Sequence, residues 1–292
     1  MDMTKIQEFR KILEQSSYVS DDLLCTALTM AEQLSRPLLL EGAAGVGKTF
    51  LAAALAKGMD RTLIRLQCYE GLDASQALYE WNYQKQILSI ASHKDKDDSF
   101  DESSLFTEEY LLERPLLKAI RQEKPPILLI DEIDRADEEF EAFLLELLAD
   151  FQVSIPEMGV VKAKSIPIVI LTSNGTRELS DALRRRCLFH YIDYPDAATE
   201  IRVIQAQVPG CSAKLASEIA GFIQNLRRED LKKVPGIAET LDWAATLVGM
   251  DVDSITDDIE TMHTTLMCVL KTREDREAVP VEIYSKLAAR AV

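Results

Sequence analysis

Short apolar runs alternate with stretches of helical periodicity over roughly the first two thirds of the chain. The runs have the length of buried strands, and between them apolar residues recur every three or four positions, as in an amphipathic helix. Strands that alternate with helices predict βα units and a mostly parallel sheet. The predicted strands are Pro37–Glu41, Thr62–Cys68, Ile127–Asp131, Ile168–Ser173 and Phe189–Ile192.

The pattern changes near Asp196, beyond which strand-like runs stop and amphipathic segments follow one another, separated by proline and glycine. We therefore predict an α/β domain over residues 1–195, built as three αβα layers, and a small all-helical lid over residues 196–292. Within the first domain, alternating residues on both sides of Pro156-Glu157-Met158-Gly159 predict a β-hairpin at about 151–166.

The composition of the chain indicates which partners and which cellular compartment to expect. The formal net charge of −16 repels phosphate backbones and disfavours nucleic acid as the main partner, although it also fits plain solubility. Five scattered cysteines without C-x-x-C spacing are typical of reduced thiols. No apolar run approaches the roughly 20 residues of a membrane span, and the N-terminus fits an amphipathic helix better than a signal peptide. We expect a cytoplasmic protein with no transmembrane segment.

A complete phosphate-binding motif follows the first predicted strand. Residues 42–49, GAAGVGKT, match G-x-x-x-x-G-K-[ST], and an alanine-rich helical segment follows them. Glycines let backbone N–H groups surround phosphates, and the helix N-terminus adds its positive end. We expect Lys48 to reach the β- and γ-phosphates and Thr49 to bind Mg²⁺. The predicted nucleotide-binding residues are Gly42, Ala43, Ala44, Gly45, Val46, Gly47, Lys48, Thr49, Phe50 and Asp131. The alternative is a glycine-rich turn without a ligand.

Two later strand ends supply the chemistry expected beside such a loop. Asp131 ends an apolar run and is predicted to bind Mg²⁺ together with Thr49, because ligands in parallel sheets bind at the carboxyl ends of strands. Glu132, the next residue, is the predicted general base that activates water. Asn174 ends the next strand and is predicted to hold the water or the γ-phosphate. The alternatives are a solvated carboxylate and an ordinary turn residue.

These residues resemble the AAA+ ATPases, a family of P-loop NTPases, and specifically the MoxR group. The stretch LLIDEIDRADEEFEAFLLELLADFQVSIPE is similar to the CoxD-like branch of that group, as are ERPLLKAI before it and PGIAETLDWA in the predicted lid. The resemblance implies a ring, usually a homo-hexamer, in which an arginine from the neighbouring subunit contacts the γ-phosphate. The matching residue is Arg186, within Arg184–Arg186. The alternative is a basic helix end that neutralises the helix dipole.

The chain departs from the family pattern in its lid and in one insert. The family usually has a lid arginine that contacts the γ-phosphate, whereas Glu239 stands at the matching position here, which puts ordinary lid closure in doubt. A helix-interrupting insert is expected at about 70–112, with aromatic residues either lining a partner face or packing internally. The acidic stretch His93–Glu109 within it predicts a surface loop. Tyr18-Val19 is placed beside the nucleotide base by its position relative to the loop.

The resemblance implies a chaperone that hydrolyses ATP to ADP and phosphate and remodels a client protein. For the CoxD-like branch the implied client is a molybdenum-containing hydroxylase whose metal cofactor is matured, and the implied partner carries a von Willebrand factor A domain. Two alternatives remain. One is a nucleotide-gated scaffold with little turnover, which the missing lid arginine favours. The other is a DNA-associated ATPase, which the acidic charge disfavours.

Overall fold

The computed structural model describes residues 3–93 and 102–291. Its main feature is a five-stranded sheet in the order β2-β5-β8-β1-β9, in which β2–β5, β5–β8 and β8–β1 pair in parallel. The five predicted strands and the parallel sheet are therefore confirmed, with bounds shifted by at most one residue. The sheet strands are β1 (Leu38–Gly42), β2 (Leu63–Gln67), β5 (Ile127–Asp131), β8 (Ile168–Ser173) and β9 (Leu188–Ile192).

Two small antiparallel pairs stand apart from this sheet. They are β3 (Tyr79–Trp81) with β4 (Leu111–Glu113), and β6 (Gln152–Ile155) with β7 (Gly159–Lys162). The second pair is a hairpin closed by the segment around Pro156, and its Val153 and Ile155 side chains are buried. The first pair lies within the expected insert. Residues 94–101 of the acidic stretch lie outside the described residues, and 3₁₀ turns span Glu102–Leu105 and Glu108–Tyr110.

Helices precede, connect and follow the strands. Up to the end of the sheet they are α1 (Met3–Gln15), α2 (Asp22–Leu34), α3 (Lys48–Gly58), α4 (Ala74–Ala77), α5 (Tyr83–His93), α6 (Pro115–Ile120), α7 (Glu138–Asp150) and α8 (Asp181–Arg186). Short polar side chains begin several of them. Asp137, for example, accepts a hydrogen bond from the Phe140 N–H at 2.8 Å and so caps α7.

The C-terminal part of the described chain is helical, as predicted. Its helices are α9 (Ala197–Gln207), α10 (Ala213–Leu226), α11 (Ile237–Gly249), α12 (Ile259–Thr265), α13 (Arg273–Ala278) and α14 (Val281–Ala289). Among the described residues, every helix is too short or too polar to cross a bilayer.

The chain divides into two compact units, and each unit is made of three segments that are not consecutive in the sequence. The first contains the segment ending at Phe9 together with Leu23–Glu41 and Leu55–His190, and the second contains Arg10–Asp22, Gly42–Ala54 and the chain from Tyr191 onward. The first unit has a core formed by β5 and β8, whose residues are all buried, and the helices packed on them. The second has its own core around Phe222, Trp243 and Tyr284. The domain boundary at residue 195 stays a prediction.

Candidate functional site

The phosphate-binding loop has the backbone that its glycines permit. Gly45 and Gly47 adopt φ values of +78° and +96°, which residues with a Cβ rarely adopt. At Gly42 a Cβ would lie 2.2 Å from the Ile192 carbonyl oxygen, so only glycine fits there. The loop then enters α3, and Lys48 Nζ donates hydrogen bonds to the carbonyl oxygens of Gly42 and Ala43, both at 2.7 Å. A glycine turn that leads into a helix N-terminus is an anion-binding arrangement.

The start of α11, which belongs to the same compact unit as residues 42–54, packs against this loop. The Gly45 carbonyl oxygen accepts hydrogen bonds from the N–H groups of Ile237 at 2.9 Å and Ala238 at 3.2 Å. Helix-initial N–H groups lack partners within their own helix, so the loop satisfies two of them. Gly236 fits closely as well, because a Cβ there would lie 2.9 Å from the Ala44 carbonyl oxygen. Helix α11 is thus hydrogen-bonded to the loop that is predicted to hold phosphate.

Glu239 stands where the resemblance leads us to expect an arginine, and its side chain caps the N-terminus of α11. Its Oε2 atom accepts a hydrogen bond from the Gly236 N–H at 3.0 Å and so completes the N-terminal cap of α11. A Cβ added at Gly45 would lie 3.1 Å from that oxygen. A carboxylate therefore lies directly beside the phosphate-binding loop.

A buried ion pair fixes the segment that carries Gly236. The Glu200 carboxylate is fully buried and accepts hydrogen bonds from Arg227 Nη1 and Nη2 at 2.8 and 2.7 Å and from the Thr240 hydroxyl at 2.8 Å. Arg227 Nε also donates to the Pro235 carbonyl oxygen at 2.9 Å. The bidentate pair joins α9 to the end of α10, and Arg227 also holds the turn just before Gly236. The hydrogen bond from Thr240 joins α9 to α11.

Aromatic residues flank the loop within the second unit. Tyr18 and Phe50 stack with their ring centroids 5.8 Å apart and an interplanar angle of 28°. Tyr18 is buried, and its ring edge lies 3.9 Å from the position of a Cβ built on Gly47. Phe50 is 42% exposed. The roles of Phe50 and of Tyr18-Val19 in nucleotide binding stay predictions.

In the first unit, Asp131 lies at the carboxyl end of β5 and is buried. Its Oδ1 atom accepts a hydrogen bond from the Thr172 hydroxyl at 2.6 Å, and Arg65 Nη2 donates to its Oδ2 atom at 2.5 Å. The register pairs Asp131 with Gln67 and Glu41 with Ser173, so these strand ends lie along one edge of the sheet. Asp131 is therefore a charged group fixed by two neighbouring strands.

Glu132 has a left-handed backbone, with φ 56° and ψ 51°, which is uncommon for a residue other than glycine. Its N–H donates to the Thr172 hydroxyl at 2.8 Å, and its carboxylate pairs with Arg135 at 3.1 Å. Such backbone strain costs about 1–3 kcal/mol and persists where the surroundings enforce it, commonly at functional sites. Thr172 thus holds both Asp131 and Glu132, one at each side of its hydroxyl.

Asn174 follows β8 and belongs to a loop fixed by a third acid, Asp134. The Asp134 Oδ2 atom accepts hydrogen bonds from the Asn174 N–H at 3.2 Å, the Thr176 N–H at 3.0 Å and the Thr176 hydroxyl at 2.6 Å. Burial raises the pKa of Asp134, but these hydrogen bonds outweigh it and hold the pKa below its ordinary value. Asp134 therefore remains charged and fixes the loop on which Asn174 stands.

The end of the sheet is electrostatically negative. The Cys68 thiol lies at the end of β2, and its pKa is raised to about 12 by burial and then by the nearby charges of Asp131, Asp134 and Glu132. A negative potential here favours a cation. The described residues form no group of three or more His, Cys, Asp or Glu that could hold a metal ion.

The three arginines of α8 differ in their surroundings. Arg184 pairs with Glu41 at 3.1 Å, and Arg185 lies 3.9 Å from the Asp181 carboxylate on the solvent side. Arg186 is exposed and forms no ion pair with any of the residues that the structure describes. Of the three, Arg184, half-buried and paired with Glu41, is therefore the least available to another molecule.

Sequence reasoning predicted the loop, Asp131, Glu132, Asn174 and Arg186 as site residues, and their roles stay predictions. The first unit brings Asp131 and Glu132 together on the Thr172 hydroxyl. Sequence reasoning missed the roles of Thr172, Arg65 and Asp134. Thr172 stands two residues before Asn174 in the same motif, so its polarity in an apolar strand was an available indication. Nothing in the sequence points to Arg65.

The chain is similar to known proteins over most of its length. The model of a family described as the ATPase family associated with various cellular activities (AAA) matches residues 38–193, more than half of the chain. The gas vesicle ATPase GvpN2 of Halobacterium salinarum is 25% identical over 290 residues, which is 96% of this chain and 82% of that protein. An uncharacterized protein of Staphylococcus saprophyticus is 26% identical over 255 residues, covering 85% of this chain and 89% of its own length.

A solved structure shares the fold. It comes from Cytophaga hutchinsonii, is described as an ATPase by inference, and matches with a TM-score of 0.51 at 16% identity. The match covers 98% of this chain and 94% of that chain. At this identity the likeness supports the fold alone.

Proposed function

The chain belongs to the AAA family of ATPases, and from this premise we propose that it is a ring-forming, ATP-hydrolysing chaperone that remodels a client protein. The observation that carries the proposal is the arrangement at the end of β5. Asp131 is buried and charged, and the next residue, Glu132, is held in a strained left-handed backbone by the Thr172 hydroxyl. A strained acid next to a fixed acid is suited to catalysis.

Each predicted residue has a role in this proposal. Backbone N–H groups of residues 42–49 and the α3 N-terminus bind the triphosphate, and Lys48 neutralises its terminal charge. Thr49 and Asp131 would hold Mg²⁺ through oxygen, the ligand type that this ion prefers, and the ion would neutralise phosphate charge. Glu132 accepts a proton from the attacking water, and Asn174 orients that water or the γ-phosphate.

We assign the arginine that completes the site to the neighbouring subunit, as Arg186. Its exposure and its lack of an ion pair among the described residues support this choice over Arg184, which binds Glu41. An arginine supplied in trans raises phosphoryl-transfer rates by about 10³–10⁵ in other nucleotide hydrolases. Hydrolysis would then require assembly, for which we propose a homo-hexamer.

For the client we propose a molybdenum-containing hydroxylase whose metal cofactor is matured, with a partner that carries a von Willebrand factor A domain. The support is the resemblance of residues 128–157 to the CoxD-like branch of the MoxR group. The relatives named above support an ATPase in general terms, and the name of one of them places it with gas vesicles.

Affinity capture tests the chaperone proposal. The Glu132→Gln variant, incubated with ATP and Mg²⁺, should retain a client that the wild-type protein releases, because its ATP-bound state is not consumed. Lys48→Ala is the matched control, which should capture nothing, since it lacks the cation that binds the phosphates. Equal capture by both variants, with and without ATP, would contradict a nucleotide-driven chaperone.

A second candidate function is a nucleotide-gated scaffold with little turnover. It is favoured by Glu239, whose carboxylate lies beside Gly45 where the family usually has an arginine. Steady-state phosphate release by the assembled protein separates the two candidates. Turnover no faster than that of the Glu132→Gln variant, together with intact ATP-dependent assembly, would favour the scaffold.

A further inference from the structure

Helix α8, which carries the three arginines, is fastened at its C-terminal end by a fourth arginine. Arg36 Nη2 donates hydrogen bonds to the carbonyl oxygens of Arg185 at 2.6 Å and Cys187 at 3.2 Å, and Arg36 Nε donates to that of Arg186 at 3.0 Å. We propose that Arg36 is a positioning residue for the arginine that acts in trans. It holds the backbone of Arg186 so that this side chain is presented to the neighbouring subunit.

The contact has a clear physical basis. The last carbonyl groups of a helix lack partners within the helix and carry the negative end of its dipole. A guanidinium group has several N–H donors in a planar fork, so one side chain can bind three successive carbonyl groups, which a lysine ammonium cannot match in geometry. One of the three acceptors is the carbonyl of Arg186 itself, so the backbone of the proposed finger is bound directly.

The other end of α8 is also fixed. Ser180 Oγ accepts a hydrogen bond from the Leu183 N–H at 3.4 Å, and the buried Glu141 carboxylate accepts one from the Ser180 N–H at 2.8 Å. A helix of six residues is far too short to be stable alone, so these end contacts determine where it lies. Arg36 supplies the end contact nearest to Arg186.

The charge of the fastening group suits this role. A carboxylate placed beside three consecutive arginines would attract their side chains and neutralise them. A guanidinium group instead binds the carbonyl oxygens and offers the arginine side chains no counter-ion. Arg36 therefore fixes the backbone and leaves the positive charge of Arg186 uncompensated, as a group that must bind phosphate in another subunit requires.

This inference rests on the proposed trans arginine, and mixing experiments test the two separately. Arg36→Ala should lower kcat about tenfold to a hundredfold, the range expected for a small misplacement of a catalytic group, with the KM for ATP changed less than about twofold. Arg36→Lys should lie between it and the wild type. Arg61→Ala is the matched control. It removes an arginine that pairs with Glu32 instead and should leave kcat unchanged.

The decisive measurement is phosphate release by equal mixtures of full-length variants. Arg36→Ala mixed with Glu132→Gln should regain activity well above the sum of the separate rates, because Glu132→Gln subunits supply a correctly held Arg186 to intact Arg36→Ala sites. Arg186→Ala mixed with Glu132→Gln is the reference. Arg36→Lys replaces Arg36→Ala in the same mixtures where the alanine variant does not fold.

The other possible results would refute either the positioning role of Arg36 or the trans arginine itself. Recovery with Arg186→Ala but not with the Arg36 variants would refute the positioning role. Loss of ATP binding by both Arg36 variants, or an unchanged kcat, would refute it as well. No recovery in the Arg186→Ala mixture would refute the trans arginine of the proposed function and, with it, this inference.

Discussion

Replacing Thr172 with valine should both destabilise the protein and slow hydrolysis. The hydroxyl donates to Asp131 Oδ1 at 2.6 Å and accepts from the Glu132 N–H at 2.8 Å. Valine has nearly the same shape but no hydrogen-bonding group, so the substitution leaves both partners without this contact in a strand that is buried throughout.

The magnitude follows from the two bonds. A hydrogen bond to a charged group contributes about 1.5–3 kcal/mol, and a buried N–H left unpaired costs about 1–3 kcal/mol. Because the two share one hydroxyl and are not additive, we expect a loss of roughly 2–5 kcal/mol in the free energy of unfolding. We also expect kcat to fall by at least about tenfold, since Glu132 loses the group that fixes its backbone.

Urea unfolding followed by circular dichroism, together with steady-state phosphate release, measures both effects. Thr29→Val is the matched control, because Thr29 is equally buried but its hydroxyl donates only to the helix carbonyl of Cys25 at 2.8 Å. That bond is a local back-bond, and its loss should cost at most about 1 kcal/mol. If the two variants are equally stable and equally active, Thr172 does not organise the acidic end of the sheet.

Three further predictions concern the loop, the lid and pH. Gly45→Ala should weaken ATP binding at least about tenfold, because its Cβ would lie 3.1 Å from the Glu239 carboxylate and 3.3 Å from Gly236 Cα. Gly71→Ala is the control: Gly71 has a similar φ but open space around it, so this substitution should affect stability alone. Glu239→Gln keeps the capping acceptor without its charge, so ATP affinity should rise about threefold to tenfold. Asp134 has a pKa below its unfolded value, so its stabilisation is present above about pH 4 and is lost as pH falls through the folded pKa. Melting temperatures of Asp134→Asn should therefore depend less on pH over that acid range.

Opposite results would identify which contact is misassigned. Equal ATP affinity of Gly45→Ala and Gly71→Ala would mean that the loop tolerates a side chain beside the lid. Weaker ATP binding by Glu239→Gln would mean that the carboxylate assists nucleotide binding. If the melting temperature of Asp134→Asn depends on pH in the acid range as strongly as that of the wild type, the titration of Asp134, which fixes the Asn174 loop, does not affect stability.

Local patterns were sufficient to predict much of this fold. The apolar run ILLI before Asp131 predicted a central buried strand, and residues 42–49 predicted a glycine turn into a helix, because both depend on neighbours in sequence. Helix α13 does not follow from an amphipathic pattern, since REDREA has no apolar face. It is stabilised by its cap, where the Thr272 hydroxyl accepts a hydrogen bond from the Asp275 N–H at 3.1 Å.

The parts that sequence reasoning missed are contacts between distant residues. Arg36 binds carbonyl groups about half a chain away, and Arg65 reaches Asp131 from the neighbouring strand. Neither arginine lies in a motif, so no local pattern marks either of them as the partner of a distant residue. The cap made by Glu239 was also missed, because its contact with Gly236 depends on where α11 begins.

The role of Glu132 is tested most directly by comparing ATP binding with ATP hydrolysis in the wild-type protein and in Glu132→Gln, at saturating Mg²⁺. We predict that the variant binds ATP with a Kd within about twofold of the wild type and releases phosphate at least about a hundredfold more slowly. Equal rates of phosphate release per bound ATP would contradict the assignment of Glu132, and with it the ATPase site described at the end of β5.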